Sequence, residues 1–173
     1  MSTPLIVLVG PMGVGKSTVG RMLAERLGVG YRDTDDDIVA EQGRSIADIF
    51  ADEGEPAFRA IEQRAVARAL AEHDGVLALG GGAVLAPRTR ALLSGLPVVF
   101  LDVDAAEAIR RVGRGTGRPL LAGDPHREWR TLMEARRPLY TEVARAVVDT
   151  SGLTPEGVVE AVVAAPARQE ARA

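Results

Sequence analysis

The sequence contains no cysteine and no asparagine, and it has a single lysine beside twenty arginines among its 173 residues. Without cysteine, disulfides, thiolate zinc sites and cysteine nucleophiles are excluded. The two histidines, His73 and His126, are too few for a typical imidazole metal site. The missing asparagine also removes the Asn-Lys-x-Asp element with which guanine-selective switch proteins commonly read their base. The composition thus argues against thiol chemistry, against an imidazole metal centre and against a guanine-selective switch protein.

The size and charge of the chain limit its partners and its location. A net charge of −3 argues against nucleic acid as the main partner. The first apolar run, residues 5–9, is too short to cross a membrane and lacks the basic start and cleavage region of a secretory signal. We therefore expect one domain over residues 1–173 that is cytoplasmic and monomeric, with residues 164–173 as a disordered tail.

The single lysine, Lys16, stands inside the segment Gly-Pro-Met-Gly-Val-Gly-Lys-Ser at residues 10–17. The apolar run 5–9 precedes this segment, and residues 18–27 follow it with helical spacing. Strand, glycine-rich loop and helix are the context of a phosphate-binding loop, whose backbone N–H groups face phosphate oxygens. In such a loop the compact ammonium of Lys16 stabilises charge on a transferring phosphoryl group, and the Ser17 hydroxyl is placed to ligate Mg²⁺. A nucleotide-binding enzyme is the leading hypothesis.

Apolar runs that predict strands alternate with segments of helical spacing. The runs lie at residues 5–9, before Asp33, and at 76–79, 97–102 and 146–149. Those at 76–79 and 97–102 are continuous apolar runs, the second ending in Asp102, as in parallel strands that are buried on both faces. Helices are expected from Ile38, from Pro56 to a stop at Gly75, and over residues 155–163. The pattern predicts an α/β fold with crossover helices.

Four acids lie within residues 33–37, directly after the second predicted strand. If that strand is a parallel neighbour of the first, the acids face the same sheet edge as the phosphate loop. For Asp36 and Asp37, simple helix capping is the favoured interpretation. The spacing of two places Asp33 and Asp35 on one face, where one side chain would hold a Mg²⁺-bound water or accept a proton and the other would bind an acceptor hydroxyl.

Three consecutive glycines, Gly80, Gly81 and Gly82, follow the third predicted strand. Such a run forfeits side-chain burial and increases the entropic cost of folding. A tight turn is one explanation. A substrate or phosphate lying against the exposed backbone amides is the favoured one.

A lid is predicted over residues 112–125, which contain four glycines and two prolines. Arg118 lies in this segment, Arg59 opens the long helix after Pro56, and Arg136 stands near the end of the helix after the lid. Each arginine alone is more often a solvated charge. Their positions favour bidentate recognition of a carboxylate or a phosphate.

Taken together, the motifs resemble those of the shikimate kinase family over residues 4–163. They are the phosphate loop at 10–17, Asp33-Thr34-Asp35, residues 43–50, Gly54-Glu55, Phe58-Arg59, Gly80-Gly81-Gly82, Arg118-Pro119-Leu120-Leu121 and residues 136–140. The resemblance implies a P-loop, nucleoside monophosphate kinase-like fold of three layers, with a five-stranded parallel sheet and a mobile lid. It also implies phosphorylation of the shikimate 3-hydroxyl by ATP, a step toward chorismate and the aromatic amino acids.

The resemblance implies a role for each matching position. Lys16, Asp33 and Arg118 would be catalytic, with Arg118 carried in by the lid, and Ser17 and Asp33 would hold Mg²⁺. ATP would be bound by Gly13, Val14, Gly15, Lys16, Ser17, Thr18, Arg111, Arg118 and Pro155. Shikimate would be bound by Asp35, Arg59, Gly80, Gly81, Gly82 and Arg136, the two arginines facing its carboxylate.

Other kinases of the same fold are the nearest alternatives. Gluconate kinases share the phosphate loop but usually show a Gly-Asp-x-x-His type sequence after the second strand, where this chain has Asp33-Thr34-Asp35. A nucleoside monophosphate kinase would also use Arg and Asp to bind its acceptor. An ATP-binding regulatory module without catalysis would be expected to lack Lys16, Asp33 or Arg118, and all three are present.

Overall fold

The computed structural model describes residues 3–113 and 124–165. Within these ranges the strands are β1 (Ile6–Val9), β2 (Tyr31–Asp33), β3 (Val76–Ala78), β4 (Val98–Asp102) and β5 (Ala146–Asp149). The helices are α1 (Lys16–Leu27), α2 (Thr34–Gln42), α3 (Ile46–Glu53), α4 (Glu55–Glu72), α5 (Pro87–Leu93), α6 (Ala105–Gly113), α7 (Pro125–Val143) and α8 (Pro155–Ala164). A 3-10 turn covers Ala83–Leu85.

The five strands form one parallel sheet in the order β2-β3-β1-β4-β5. Val7, Leu8 and Val9 of the central strand β1 are all buried, which requires cover on both faces of the sheet. Helix α1 packs beside α8, whereas α5 contacts both α4 and α7. The five-stranded parallel sheet of a P-loop kinase fold is thus confirmed. Its carboxyl edge, where ligands bind in such sheets, is the edge from which the loop after β1 leaves.

A second, smaller core lies under α2, α3 and α4. It consists of Ile38, Ile49, Phe58, Ile61 and Ala65, each at most 7% exposed. The rings of Phe50 and Phe58 are in contact, with centroids 4.7 Å apart. This core holds the first turns of α4 at a fixed distance from the sheet edge and so fixes the part of the chain that carries Arg59.

Two predicted helix limits were wrong. Helix α2 begins at Thr34 and not at Ile38, because the Asp33 side chain caps it by accepting a hydrogen bond from the Asp35 N–H at 2.8 Å. The long helix α4 ends at Glu72 and is followed by the cap residue His73, before Gly75 is reached. Asp33 therefore ends β2, and Asp35 lies in the first turn of α2. The expectation that one strand places both side chains on the same face does not apply to them.

The lid prediction over 112–125 overlaps the end of α6 and the first residue of α7, and residues 114–123 lie outside the described ranges. Arg118 is among them. Residues 166–173 of the predicted tail also lie outside, while α8 extends through Ala164. In the part of the chain that the structure describes, no helix combines the length and the apolar character needed to span a membrane.

Gly75 lies where the first three strands begin. Its carbonyl accepts a hydrogen bond from the Leu5 N–H at 2.9 Å, and the Val76 N–H donates to the Gly30 carbonyl at 2.9 Å. A Cβ at Gly75 would meet the Gly30 backbone, with the Gly30 N and C atoms only 3.0 Å away. A Cβ at Gly30 would find its nearest neighbour, the His73 Cε1, at 3.6 Å, an ordinary contact.

We therefore expect Gly75→Ala to lower the free energy of unfolding by about 1–3 kcal/mol, because backbone has to move to admit the methyl group. Gly30→Ala is the matched control and should change that free energy by less than about 1 kcal/mol. Urea unfolding followed by circular dichroism measures both. Equal effects of the two substitutions would contradict the packing at this strand junction.

Candidate functional site

The loop between β1 and α1 has the backbone of a phosphate-binding loop. Gly13 and Gly15 have φ of 83° and 88°, in the left-handed region that side chains disfavour. Gly10 lies so close to the Leu101 carbonyl that a Cβ would collide with it. The Lys16 ammonium donates to the Gly10 carbonyl at 2.6 Å and to the Pro11 carbonyl at 3.0 Å. The start of α1 adds a positive dipole end, so the loop can bind an anion.

Asp33 joins this loop to the second strand. Its Oδ2 accepts hydrogen bonds from the Ser17 hydroxyl at 3.3 Å and from the Tyr31 hydroxyl at 3.1 Å. Its Oδ1 accepts the N–H of Asp35. The predicted pair Ser17 and Asp33 is therefore brought together across the sheet edge, although β3 lies between β1 and β2.

Ser17 and Asp33 present the hard oxygen donors that Mg²⁺ prefers. Mg²⁺ commonly binds through one or two protein oxygens, with waters and substrate phosphates completing its shell. Within residues 3–113 and 124–165 no cluster of three or more His, Cys, Asp or Glu side chains could hold a metal by itself. The donor set fits a metal that arrives with a phosphate ligand and does not fit an all-protein metal cage.

Asp35 is held in a largely buried, acidic environment in the first turn of α2. Burial, together with the neighbouring carboxylates of Asp33 and Glu62, raises the pKa of Asp35 to about 6, and the Lys16 ammonium opposes this rise. A carboxyl group with this pKa is close to its titration point near neutral pH. It can accept a hydrogen bond from a hydroxyl group or hold a proton itself.

The glycine run after β3 leaves room for side chains of the site. A Cβ at Gly80 would lie 2.7 Å from Asp35 Oδ1, and one at Gly82 would collide with the Arg59 guanidinium. At Gly81 it would lie 3.5 Å from an Arg136 guanidinium nitrogen. Gly80 and Gly82 thus have a structural reason in addition to the predicted substrate contact, whereas a Cβ at Gly81 would make only an ordinary contact. The substrate contact stays a prediction.

Two of the predicted arginines converge on this glycine run. Arg136 is only 7% exposed, although it carries a full charge. The Arg59 guanidinium donates to Glu62 Oε1 at 2.9 Å and to Glu55 Oε1 at 3.3 Å, and it lies 5.2 Å from the centre of the Phe58 ring. Two guanidinium groups at one edge of a buried carboxylate cluster form a site for an anionic group.

Glu62 is a site residue that the sequence analysis missed. It is 3% exposed, and burial raises its pKa while Arg59 and Arg136 oppose that rise. Its charge offsets theirs in a region shielded from water. The signal was present: Glu62 falls on the same face of α4 as Phe58, Ala65 and Val66, all buried, and an acid within an apolar stripe requires a partner.

Tyr140 was also missed as part of the site. It is fully buried, and its hydroxyl donates to the Gly81 carbonyl at 2.5 Å. Its ring lies against Phe100 of β4, with centroids 4.9 Å apart. Burial raises the pKa of Tyr140, so the phenol stays a donor, and the adjacent Arg136 guanidinium opposes the rise. Tyr140 thereby links α7 to the glycine run and to the core.

On the other side of the phosphate loop lies Arg111. Its guanidinium donates to the carbonyls of Gly13 at 3.3 Å and Val14 at 3.1 Å, and to Glu107 Oε1 at 2.6 Å. The second Glu107 oxygen accepts the Gly152 N–H at 2.9 Å. Through Glu107, Arg111 thus connects the phosphate loop with the loop before α8. Pro155 lies in the first turn of α8.

Most of the predicted site residues therefore lie around one sheet edge. The structure places Lys16, Ser17, Asp33, Asp35, Arg59, Gly80–Gly82 and Arg136 there, with Arg111 at its flank. It describes Thr18 within α1, one residue after Ser17. Arg118 lies outside the described residues.

Comparison with known proteins gives consistent matches. A sequence model of the family described as "Shikimate kinase" matches residues 12–166. A shikimate kinase of Streptomyces avermitilis is 67% identical over 171 residues, covering 99% of this chain and 100% of that protein. One of Streptomyces coelicolor is 65% identical over 171 residues, with the same coverage of both chains.

Solved structures agree with the sequence comparison. A shikimate kinase from Acinetobacter baumannii, solved in complex with shikimate, superposes with a TM-score of 0.87 at 36% identity. The match covers 94% of this chain and 92% of that one. The similarity thus extends over nearly the whole fold.

The raised pKa of Asp35 makes the stability of the protein depend on pH. The folded state prefers the neutral carboxyl, because the pKa is about 6 there against an ordinary value of 3.8. The stability that this preference contributes is present below about pH 4 and is lost as the pH rises through about 6. Asp35→Asn cannot ionise, so its free energy of unfolding relative to wild type should rise between pH 4 and 7, by at most about 3 kcal/mol.

Urea unfolding at several pH values measures this difference. Asp36→Asn, an exposed neighbour on the same helical turn, is the matched control for exchanging one carboxylate for an amide. A difference between Asp35→Asn and wild type that does not vary with pH would contradict the predicted preference for the neutral form.

Proposed function

The chain belongs to the shikimate kinase family, and from this we infer that it transfers the γ-phosphoryl group of ATP to the 3-hydroxyl of shikimate. The products are shikimate 3-phosphate and ADP, in the route to chorismate and the aromatic amino acids. The observation that carries this function is the single sheet edge at which a phosphate-binding loop meets two arginines, the buried Arg136 and the half-buried Arg59. A phosphate donor and a carboxylate-bearing acceptor can therefore be held side by side.

We propose that the loop amides of Gly13, Val14 and Gly15 bind the ATP phosphates, with Lys16, Ser17 and Thr18 at the start of α1. The Lys16 ammonium, now directed at the Gly10 and Pro11 carbonyls, is within the same loop as the phosphates it would neutralise. Its contribution is to lower the energy of the transferring phosphoryl group more than that of bound ATP.

The acceptor side is proposed to lie between the glycine run and α4. Arg59 and Arg136 would pair with the shikimate carboxylate, since a guanidinium matches a carboxylate in a bidentate manner. Asp35 would accept a hydrogen bond from a hydroxyl group of shikimate, and the backbone of Gly80–Gly82 would line the hydroxylated ring. Glu62 supports this arrangement because it fixes Arg59 in place before the acceptor arrives.

Asp33 is proposed to be the residue nearest to both reactants. Its Oδ2 is hydrogen-bonded to Ser17, on the nucleotide side, and its Oδ1 to the first turn of α2, on the acceptor side. Ser17 and Asp33 would hold Mg²⁺, which when bound with ATP supplies positive charge to the phosphate oxygens. From the same position the Asp33 carboxylate would accept the proton of the attacking hydroxyl.

The remaining assignments are also proposals. Arg111 and Pro155 would flank the adenine, consistent with the contacts of Arg111 to the phosphate loop. Arg118, carried by a lid over residues 112–125, would neutralise phosphoryl charge when the lid closes and water is excluded. We expect Arg118→Ala to lower kcat more than the affinity for ATP.

We further propose that residues 1–173 work as one cytoplasmic kinase domain and as a monomer, without nucleic acid or membrane partners. The cysteine-free composition suits a reducing compartment, and the net charge of −3 does not favour binding to a polyanion. Light scattering coupled to size exclusion would test the monomer. A mass of two chains or more would contradict it.

The function is tested by measuring Mg-ATP-dependent ADP production with shikimate, gluconate, AMP or no acceptor. We expect ADP production only when shikimate is the added acceptor. NMR should place the new phosphate on the 3-hydroxyl. Turnover that prefers gluconate or AMP would refute the acceptor assignment and leave the phosphate site standing.

Lys16→Ala should lower kcat by about 10²–10³-fold, the loss seen when one preorganised charge-stabilising donor is removed. Lys16→Arg is the matched control that keeps the positive charge, and it should also fail, because a planar guanidinium does not fit between the Gly10 and Pro11 carbonyls. Steady-state kinetics and urea unfolding of both variants separate catalysis from folding. Near-normal turnover of Lys16→Ala would contradict the proposal.

A further inference from the structure

Tyr31 lies next to the reacting groups and has no role in the mechanism above. It is the first residue of β2, two residues before Asp33, and its hydroxyl donates to Asp33 Oδ2 at 3.1 Å. Its ring is held by α1: a Cβ at Gly20 would collide with the ring, so the helix and the phenol are in close contact. The Arg21 guanidinium lies 5.5 Å from the ring centre.

The Asp33 carboxylate is fixed by three donors of different origin. The Asp35 N–H binds Oδ1, while the hydroxyls of Ser17 and Tyr31 both bind Oδ2. Ser17 is the group that would be shared with the metal and nucleotide, so its hydroxyl is needed elsewhere once they bind. The Tyr31 hydroxyl is then the donor that remains on Oδ2.

Tyr31 is suited to be a permanent donor. Its hydroxyl lies 3.1 Å from its acceptor, Asp33 Oδ2. Its ring has little freedom between α1 and β2, which means that the direction of the O–H group is set by packing before any ligand arrives.

We propose that Tyr31 is a positioning residue of the phosphoryl-transfer site, whose hydroxyl fixes the Asp33 carboxylate so that Oδ2 faces Ser17 and the metal–nucleotide complex. The proposal rests on the metal role of Asp33 given above. It assigns to the hydroxyl a function separate from the packing of the ring, which a phenylalanine would preserve.

Tyr31→Phe tests the hydroxyl alone. Isothermal titration should show that the variant binds Mg·ADP about 2- to 10-fold more weakly than wild type, the equivalent of one net hydrogen bond. Its affinity for ADP in EDTA should be unchanged, because the loop amides are untouched. Tyr140→Phe is the matched control: it also removes one tyrosine hydroxyl, but from the acceptor side, and should leave Mg·ADP affinity unchanged.

A double-mutant cycle with Asp33→Ala identifies the group through which Tyr31 acts. Asp33→Ala should weaken Mg·ADP, and adding Tyr31→Phe to it should cause no further loss. A full additional loss in the Asp33→Ala background, or equal losses for Mg·ADP and for ADP in EDTA, would overturn the proposal and show a general effect on packing.

The cycle also separates this proposal from the one on which it rests. If Asp33→Ala leaves Mg·ADP affinity unchanged, the metal role of Asp33 fails, and the role of Tyr31 fails with it. If Asp33→Ala weakens Mg·ADP but Tyr31→Phe does not, only the role of Tyr31 is refuted. Neither result affects the assignment of shikimate as acceptor, which is measured in wild type.

Discussion

The hydrogen bonds that the Asp33 carboxylate accepts are the interactions on which both the fold and the site depend. By accepting the Asp35 N–H it ends β2 and starts α2 without an intervening loop. By accepting the Ser17 hydroxyl it ties that junction to the first turn of α1. The proposed donor side and the proposed acceptor side of the reaction are thus connected through the two oxygens of one side chain. A shift of α1 or of α2 would therefore displace the Asp33 carboxylate.

The acceptor side depends on balancing charges away from water. Arg136 and Glu62 are almost completely buried, and a buried charge without a partner is strongly destabilising. Arg59 is the hydrogen-bonded partner of Glu62 and lies beside the Phe58 ring, in space that a Cβ at Gly82 would fill. The Glu62 carboxylate in turn offsets the charge of Arg136. The cluster is therefore preorganised, so the carboxylate of the proposed acceptor would not have to order the guanidinium groups.

The sequence predicted those parts of the molecule that depend on local pattern. The phosphate loop, the parallel strands, the glycine run and the converging arginines could be located because each has its own spacing or composition. The start of α2 could not, since it depends on where one Asp33 oxygen points. Glu62 was overlooked because a charge in an apolar stripe gains its meaning only from Arg59 and Arg136. Tyr31 and Tyr140 gain theirs from the hydrogen bonds that they donate to the Asp33 carboxylate and to the Gly81 carbonyl.

The single lysine of the chain occupies a position whose geometry differs from that of two site arginines. Arg59 and Arg111 each bind several acceptors at once, Arg59 two glutamates and Arg111 two carbonyls and a glutamate, and only a forked guanidinium has donors in enough directions. Lys16 has a different task, because its ammonium sits against the carbonyls of Gly10 and Pro11 inside a tight loop. There a compact group with freely rotating donors can turn from carbonyl oxygens to phosphate oxygens, whereas a rigid plane would need the loop to open. The small size of the ammonium group thus accounts for a lysine in place of an arginine at position 16.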